Sequence, residues 1–379
     1  MILHLVPDEK FIDFAYNEFE KIAPGENRFL VISDQVSEQF KYIKSEQVSK
    51  ISSTEVNNQQ FLDTLKEYEF VALHMFSMHD RAKIRLVLNA PSKTKFIWLG
   101  WGGDFYHYIV GNYSSLFLEK TRKLWKQNNK KTRLKNFIKT LLGHKANHLR
   151  AIGKVHYFAP VIPTECNLLK SVLPQLKAEF APFSYANLED MLRGLDQHQM
   201  EGQNILIGNS ASYENNHMEV FDLLEKLDLG QRSVIAPLSY GIPDYRDAIM
   251  CRGEEKLGKN FLPLVDFIPK DEYHQMIASC SIVIMNHLRQ QAMGNIITMM
   301  YLGAKIFLNP KNPVFDFFQN EGAYVFSIDI MSADQHKAFE PLSAEQIAQN
   351  RKILEKHWSA KVVEEKTRTL IAMAREGKA

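Results

Sequence analysis

Apolar residues in this chain are grouped in short continuous runs, and between the runs they recur at the three- and four-residue spacing of a helix face. In the first half the runs predict strands at residues 1–8, 29–33, 70–75 and 95–99, with helices at residues 11–22 and 59–68. Strands that are apolar throughout are typical of a parallel sheet whose two faces are both covered.

The second half of the chain repeats this alternation. The predicted strands are residues 204–207, 233–236, 281–285 and 305–308, and the predicted helices are residues 217–227, 272–279 and 295–302. Strands and helices that alternate at this spacing build βαβ units. Because ligands of such sheets bind beyond the carboxyl ends of the strands, function is expected in the loops that follow strands.

A chain of 379 residues is long for one core and suits two domains. A polar stretch at residues 196–199 separates the two halves, so the predicted domains are residues 1–195 and 200–379. The charged helical segment at residues 343–374 belongs to the second domain in this division and can pack back on the first. The predicted fold class is α/β, with two Rossmann-like doubly wound domains that face a cleft.

Composition adds little to this picture, since 45% hydrophobic residues, 24% charged residues and a net charge of +2 are ordinary for a globular protein. Cys166, Cys251 and Cys280 have no disulfide or metal-ligand spacing, which favours a reducing cytoplasm. Residues 1–8 lack the pattern of a signal peptide, and no apolar run approaches the roughly 18 residues of a spanning helix.

The loop between the strand at residues 281–285 and the next helix carries the most informative pattern. It contains Arg289, Gln290, Gln291, Gly294 and Asn295. A helix N-terminus offers free N–H groups and a positive dipole end, Arg adds a planar fork for phosphate oxygens, and Gly permits close backbone approach. The pattern predicts a phosphate or diphosphate site; the alternative is a polar loop closed by a helix cap.

Two further loops of the second half could share that ligand. Gly208, Asn209 and Ser210 follow a strand and lead into a helix, an arrangement that can bind phosphate on backbone N–H groups and a hydroxyl. The alternative is a turn in which Asn215 or Asn216 caps the helix. Tyr240 follows the next strand and can stack on a nucleobase or simply pack within its loop.

In the first half, Trp101 and Asp104 lie in a glycine- and aromatic-rich loop after the strand at residues 95–99. Aromatic rings pack on the C–H faces of sugars, and an Asp that faces a cleft can take a proton from an attacking hydroxyl. The alternative for Asp104 is a helix cap. His74, at the end of the neighbouring strand, is predicted to contact the acceptor, and His74, His79 and His107 are rival bases.

Residues 120–154 form a basic segment without Asp or Glu. Within it Leu134, Phe137, Ile138, Leu141 and Leu142 recur at helical spacing, so a cationic amphipathic helix is predicted. Such a helix favours an anionic membrane surface; nucleic acid and an ordinary solvated loop are the alternatives. The chain contains no Asp-x-Asp pair, P-loop or dinucleotide fingerprint, so no divalent metal and no other cofactor is expected.

The chain resembles a known family at five segments. These are residues 96–106 (FIWLGWGGDFY), 204–210 (NILIGNS), 236–240 (APLSY), 289–294 (RQQAMG) and 307–313 (FLNPKNP). They are similar to glycosyltransferase family 56, the lipid II Fuc4NAc transferases of enterobacterial common antigen synthesis, and the Arg-Gln-Gln-x-x-Gly motif is the most specific of them.

The resemblance implies a GT-B-type fold and transfer of Fuc4NAc from a dTDP-sugar to a polyprenyl-diphosphate-linked saccharide at the cytoplasmic membrane face. It implies that the donor diphosphate and sugar contact Arg289, Gln290, Gln291 and Gly294, with residues 208–210 beside them. Asp104 as the base and Arg289 as the group that neutralises the leaving diphosphate follow from the chemistry of the residues themselves. The open alternatives are a UDP- or GDP-sugar transferase or epimerase and a nucleic-acid-binding protein.

Overall fold

The computed structural model describes residues 1–35, 37–129, 143–195, 200, 202–266 and 268–377. The chain divides into two compact units. The first consists of Met1–Gly111, Lys131–Asn187 and Ala360–Ala379, and the second of Asn112–Lys130 and Leu188–Ser359. Each unit is built on one parallel sheet, which confirms the predicted class of two doubly wound α/β domains.

The strands of the first unit are β1 (Ile2–Val6), β2 (Asn27–Ile32), β3 (Val48–Ile51), β4 (Phe70–His74), β5 (Phe96–Leu99), β6 (Tyr157–Ala159) and β7 (Glu179–Phe180). They pair in the order β3-β2-β1-β4-β5-β6-β7, and each described pairing is parallel. Every residue of β1, β4 and β5 is buried, because helices cover both faces of the sheet.

The helices of this unit are α1 (Ile12–Ile22), α2 (Gln59–Thr64), α3 (Arg81–Asn89), α4 (Tyr106–Ile109), α6 (His144–Ile152), α7 (Thr164–Val172) and α17 (Ala360–Glu376). Helix α17 returns from the end of the chain and packs along α1. Its Leu370, Ile371 and Ala374 are buried in the same core cluster as Phe19.

The strands of the second unit are β8 (Ile205–Ile207), β9 (Val234–Pro237), β10 (Phe261–Leu264), β11 (Ile282–Met285), β12 (Lys305–Leu308) and β13 (Val325–Ser327). They pair in parallel in the order β10-β9-β8-β11-β12-β13. The strand order therefore reverses between β8 and β11, which is the position where doubly wound sheets bind their ligands.

The helices of the second unit are α5 (Glu119–Asn128), α8 (Leu188–Leu192), α9 (His217–Leu224), α10 (Pro243–Leu257), α11 (Lys270–Ala278), α12 (Met293–Leu302), α13 (Pro313–Asn320), α14 (Asp329–Ala333), α15 (Gln335–Phe339) and α16 (Ala344–Trp358). Gly303 follows α12 with a φ of 103°, in the left-handed conformation expected at a helix C-terminus.

The domain boundaries differ from the predicted division at residue 195. Residues 188–195 and 112–130 belong to the second unit, and residues 360–379 belong to the first. Glu219 of α9 accepts hydrogen bonds from the backbone N–H groups of Lys120 and Thr121, which joins α5 to the second unit. Because these contacts link residues about a hundred positions apart in sequence, a local change of composition could not reveal them.

Candidate functional site

The two loops predicted to share a ligand lie side by side in the second unit. They follow β8 and β11, which are paired in parallel, so both emerge at the same edge of the sheet. Gln291 Nε2 donates to Asn209 Oδ1 at 3.1 Å and joins the loops directly. The structure thus brings Gly208, Asn209, Ser210 and residues 289–294 together at the point where the strand order reverses.

Helix α12 begins at this edge, two residues earlier than predicted. Ala292 precedes the helix with a φ of 59°, and no side chain caps the first turn. The first N–H groups of a helix have no partner within it, so this turn offers donors and the positive end of the dipole. A Cβ at Gly294 would have nothing within 4 Å, and its φ is not in the left-handed region, so neither packing nor conformation requires glycine there.

Arg289 is held close to this helix start. Its Nη1 donates to the Gln290 carbonyl oxygen at 2.7 Å, and its Nη2 lies 3.5 Å from Glu214 Oε1. The Arg289 and Glu214 side chains are only 11% and 8% exposed. An Arg fork beside an uncapped helix N-terminus is suited to an anion such as phosphate.

Asn215 is the connecting residue of the site, and sequence reasoning missed this role. Its Oδ1 accepts from Asn209 N at 2.8 Å and from His287 Nε2 at 3.0 Å. Its Nδ2 donates to the carbonyl oxygens of Ser210 at 3.0 Å and Ser212 at 3.1 Å. The amide therefore fixes the shape of the loop after β8 and ties it to the loop after β11.

Neither Asn215 nor Asn216 caps α9 through its side chain, which was the alternative for this loop. Asn216 occupies the N-cap position of α9 with a φ of 53°, but no side chain caps the helix. Asn216 Oδ1 instead accepts from Leu118 N at 2.8 Å, and its Nδ2 donates to the Asn286 carbonyl oxygen at 3.0 Å. The spacing of Asn residues pointed to this loop; their partners are set by tertiary contacts.

Two buried histidines line the same loops. Burial lowers the pKa of His217 to about 3 and that of His287 well below its usual value, so both rings are neutral near pH 7. Because Asn215 Nδ2 is used as a donor elsewhere, its Oδ1 must accept from a protonated His287 Nε2. His287 Nδ1 is then unprotonated and can accept a hydrogen bond.

These loops concentrate buried polar atoms whose hydrogen-bonding capacity is unmet. Five such atoms have no hydrogen-bond partner within the described ranges: His217 Nε2, His287 Nδ1, Arg289 Nε, Gln290 Oε1 and Gln291 Oε1. Most buried polar groups in proteins are paired, and exceptions call for an explanation such as a ligand or water. Their grouping at the strand-order reversal indicates a binding site for a polar ligand.

Tyr240 is presented at the same edge by the loop after β9. The bond from Ala211 N to the Tyr240 carbonyl oxygen is 2.7 Å long, so the loop after β9 is attached to the loop after β8. A Cβ at the adjacent Gly241, which has a φ of 129°, would lie 2.4 Å from the Ala211 carbonyl oxygen. The Tyr240 residue is 49% exposed, as a base-stacking ring requires.

Asn295 departs from the other predicted donor residues. Its side chain lies beside Tyr273 of α11, whose pKa is raised by burial while the contact with Asn295 opposes the rise. Asn295 also lines a cavity of about 150 Å³ with Leu206 and Met299. The group of Asn295 that can face an anion is its backbone N–H, which lies in the first turn of α12.

In the first unit, Asp104 is 1% exposed and accepts three hydrogen bonds. Its Oδ2 accepts from Phe76 N at 3.0 Å and Trp98 Nε1 at 2.7 Å, and its Oδ1 accepts from Trp101 N at 3.0 Å. Burial raises the pKa of this carboxyl group, while the three bonds oppose the rise. The carboxylate joins the loops after β4 and β5, and it does not cap α4, which was the alternative considered for it.

His74 is also a buried connector. Its Nε2 lies 3.0 Å from His4 Nδ1, and its Nδ1 lies 2.9 Å from the Tyr185 hydroxyl. Burial lowers the pKa of His74 well below its usual value, and the charges of His4 and Lys83 add to that effect. With both ring nitrogens engaged and no exposed surface, His74 supports the loop instead of contacting an acceptor as predicted.

Trp101 is partly buried among other aromatic side chains. Its ring makes edge contacts with Tyr185 at 5.3 Å and Phe11 at 6.0 Å between ring centroids, and Phe11 is 48% exposed. Phe11 follows β1, Trp101 follows β5 and Tyr185 follows β7, so all three lie at the carboxyl edge of the first sheet. Sequence reasoning found Trp101 and missed Phe11 and Tyr185, because they come from distant parts of the chain.

His79 and His107, the remaining rival bases, lie near each other. Burial lowers the pKa of His107 to about 4, and the charges of His79 and Lys145 act in the same direction. His107 Nε2 is buried and has no hydrogen-bond partner among the residues that the structure describes. His79 is exposed.

The central part of the basic segment, residues 130–142, lies outside the described residues, and the predicted amphipathic helix with Leu134, Phe137, Ile138, Leu141 and Leu142 falls there. The described flanks are α5 and α6. Some of their cations have internal partners, since Arg122 donates to the Ser114 carbonyl oxygen and Lys120 pairs with Asp222. Throughout the described ranges, no helix is both long and apolar enough to cross a membrane.

Comparison with known proteins relates the chain to glycosyltransferases. The family described as 4-alpha-L-fucosyltransferase, glycosyl transferase group 56, matches residues 9–363. A glycosyltransferase from Rickettsia africae ESF-5 has 12% identity and a TM-score of 0.65, over 100% of this chain and 99% of that chain.

Two other solved structures have a similar fold. Sucrose-phosphate synthase from Thermosynechococcus elongatus has 9% identity and a TM-score of 0.64, over 98% of each chain. The Anabaena protein HepE, solved in complex with UDP and glucose, has 11% identity and a TM-score of 0.60, over 98% of this chain and 99% of that chain. The fold is therefore of the GT-B type.

Proposed function

This chain belongs to glycosyl transferase group 56, the 4-alpha-L-fucosyltransferase family, and from that premise we propose the reaction that it catalyses. It transfers an N-acetylated dideoxy sugar of the Fuc4NAc kind from a dTDP-sugar to a polyprenyl-diphosphate-linked saccharide, in the synthesis of a surface polysaccharide. A sugar nucleotide donor and an acceptor follow from the family; the choice of dTDP, Fuc4NAc and a lipid-linked saccharide acceptor is our proposal.

The unmet polar atoms at the carboxyl ends of β8 and β11 carry this proposal. In this proposal Arg289 and the first N–H groups of α12, which has no side-chain cap, neutralise the charge that builds up on a departing nucleoside diphosphate. Gly294 leaves room for the phosphate to approach the backbone, and the exposed Tyr240 supplies a ring for the base. We propose that these groups act without a divalent metal, as the absence of an Asp-x-Asp pair from the sequence suggests.

The acceptor half of the proposal rests on the first unit. The partly exposed aromatic group of Phe11, Trp101 and Tyr185 offers ring surface on which the C–H faces of a sugar can pack. Asp104 was the predicted base, but its oxygens are committed to three loop contacts, so we assign it a supporting role. His107, with an unpartnered Nε2, becomes the first alternative to test as the base.

The site of action follows from the acceptor. We propose that the protein works at the cytoplasmic face of the plasma membrane as a peripheral protein, with the basic segment at residues 120–154 near anionic lipid. Co-sedimentation with anionic liposomes that is lost in high salt tests this part. Retention on DNA without binding to liposomes would instead identify nucleic acid as the partner of this segment.

Calorimetric titration with dTDP, UDP and GDP tests the donor site, first in EDTA and then with Mg²⁺. We expect dTDP to bind in EDTA, and Arg289→Ala to weaken that binding by more than about tenfold, because a charge-assisted contact contributes about 1.5–3 kcal/mol. Arg252→Ala is the matched control, since Arg252 lies in the same unit and pairs with Asp222 and Glu255.

Each other outcome has a distinct meaning. Tighter binding of UDP or GDP than of dTDP would replace the proposed donor with another sugar nucleotide. Binding that appears only with Mg²⁺ would refute the metal-independent mechanism. An Arg289→Ala variant that is folded and binds dTDP as the wild type does would remove the assigned diphosphate site.

A further inference from the structure

A carboxylate stands beside the arginine of the proposed diphosphate site. Glu214 is buried, and its Oε1 lies 3.5 Å from Arg289 Nη2. Burial raises the pKa of Tyr113, and the neighbouring charge of Glu214 adds to that rise, so the two side chains lie close together. Glu214 belongs to the loop that follows β8, so it faces the same edge of the sheet as the start of α12.

A negative side chain in this place is unfavourable for a ligand that brings only negative charge. When a phosphate oxygen binds Arg289, the phosphate competes with Glu214 for the guanidinium and repels the carboxylate. A buried carboxylate that loses its ionic partner carries a large desolvation cost unless new hydrogen bonds replace that partner. A suitable ligand must therefore present an anion to Arg289 and an O–H or N–H donor to Glu214.

The two forms of the nucleotide differ in this respect. A free nucleoside diphosphate ends in phosphate oxygens, which are acceptors and carry an additional negative charge. A sugar nucleotide has a sugar on that same phosphate, with hydroxyl or amide hydrogens only a few bonds away. Because the deoxyribose and base lie on the other side of the diphosphate, the sugar nucleotide is the form that places a donor group beside the phosphate at Arg289.

We infer that Glu214 is the residue by which this site selects the sugar nucleotide over the free nucleoside diphosphate, through a hydrogen bond that its carboxylate accepts from a hydroxyl or amide group of the donor sugar. The inference rests on the proposed function, since it assumes a sugar nucleotide at Arg289. It also accounts for product release: once the sugar has been transferred, the carboxylate faces the newly charged phosphate without a donor, which favours dissociation.

The test compares dissociation constants of dTDP-Fuc4NAc and dTDP for the wild type and Glu214→Gln, in the absence of acceptor. The amide is nearly the same size as the carboxylate and can donate to a phosphate oxygen, so dTDP should bind more tightly to the variant. The hydrogen bond from the sugar to a neutral acceptor is weaker, so dTDP-Fuc4NAc should bind less tightly. We expect the wild type to prefer the sugar nucleotide by about tenfold or more and the variant to reduce that preference to about threefold or less.

Glu225→Gln is the matched control. Glu225 follows α9, pairs with Lys256 and is 42% exposed, and it lies at the opposite end of that helix from Glu214. This variant should leave both dissociation constants unchanged. Glu214→Asp, which keeps the charge, is the second variant and should retain the weak binding of free dTDP.

Three results would count against the inference. Equal changes in the two dissociation constants for Glu214→Gln would overturn it, as would a wild type that binds dTDP as tightly as dTDP-Fuc4NAc. In both cases dTDP binding that is still lost in Arg289→Ala would leave the proposed function standing. A wild type that binds neither ligand would refute the proposed function and the inference together.

Discussion

Gly208 provides the sharpest test of how the proposed donor site is built. It follows β8 with a φ of 62°, a conformation that costs an L-residue about 1–2 kcal/mol. A Cβ there would lie 2.5 Å from His217 Nε2 and 2.6 Å from Asn215 Oδ1. Both neighbours are buried and hydrogen-bonded, so neither can move without breaking a bond of the site.

The expected cost of Gly208→Ala is the sum of two effects. Overpacking of a tight site costs about 1–3 kcal/mol, and the left-handed backbone adds about 1–2 kcal/mol. The smaller conformational freedom of Ala in the unfolded chain returns about 0.4–1 kcal/mol. A net loss of about 1–4.6 kcal/mol should lower the Tm by about 2–18 °C for a unit of this size.

The assay is thermal unfolding followed by circular dichroism, combined with dTDP titration below the transition. Gly294→Ala is the control, because a Cβ there meets nothing within 4 Å and its φ is not positive. It should unfold at or above the wild-type Tm, since Ala favours a helix over Gly by about 1 kcal/mol, yet it should weaken dTDP binding. A Gly208→Ala variant that melts within about 2 °C of the wild type would refute the packing argument.

Three further predictions follow from the same structure. Asp104→Asn should lower the Tm, because the new amide NH₂ group must face an N–H group that donates to the carboxylate in the wild type. An unchanged Tm with lost activity would instead restore Asp104 as the base. His107→Gln should reduce kcat without lowering the Tm if His107 is the base, and unchanged turnover would exclude it. His4, His148 and His217 are each 0% exposed, and burial lowers their pKa from 6.5 in the unfolded chain to about 3 in the folded protein. The stability that comes from keeping these rings neutral is therefore complete above pH 6.5 and is lost progressively as the pH falls toward 3. Each should contribute a loss of about 1.4 kcal/mol per pH unit, so a urea midpoint that is constant from pH 7 to 5 would contradict their burial as neutral rings.

Local pattern was sufficient for most strands and for the class of fold. Continuous apolar runs identified β1, β2, β4, β5, β8, β9, β11 and β12 to within one or two residues, because strands covered on both faces must be apolar throughout. The missed strands include β7, whose two residues are exposed, and β10, in which Leu262 is 41% exposed. β7 has no apolar run to find, whereas the apolar run of β10 contains Pro263, a residue that argues against a strand in the middle of a sheet.

In the second unit, the rule that ligands bind beyond strand ends led to the loops after β8 and β11, which the structure places side by side. Which loops meet depended on strand order, and the order β10-β9-β8-β11 placed residues 208–210 beside residues 289–294. In the first unit the same rule led to Asp104 and His74, both of which the structure buries as connectors. A carboxylate or imidazole has the same sequence signature whether it faces solvent or a neighbouring loop.

Local spacing in the sequence was enough to predict that the chain forms two parallel α/β units and that a loop with Arg289, Gln290, Gln291 and Gly294 follows a strand. Those are properties of local spacing, since strand and helix periods depend on neighbouring residues. Long-range packing established the rest: Asn215 bonds to His287, 72 positions away, Glu214 lies beside Arg289, and α17 completes the first unit. These pairings depend on which strands lie side by side, and that order follows from burial of both sheet faces across the whole chain.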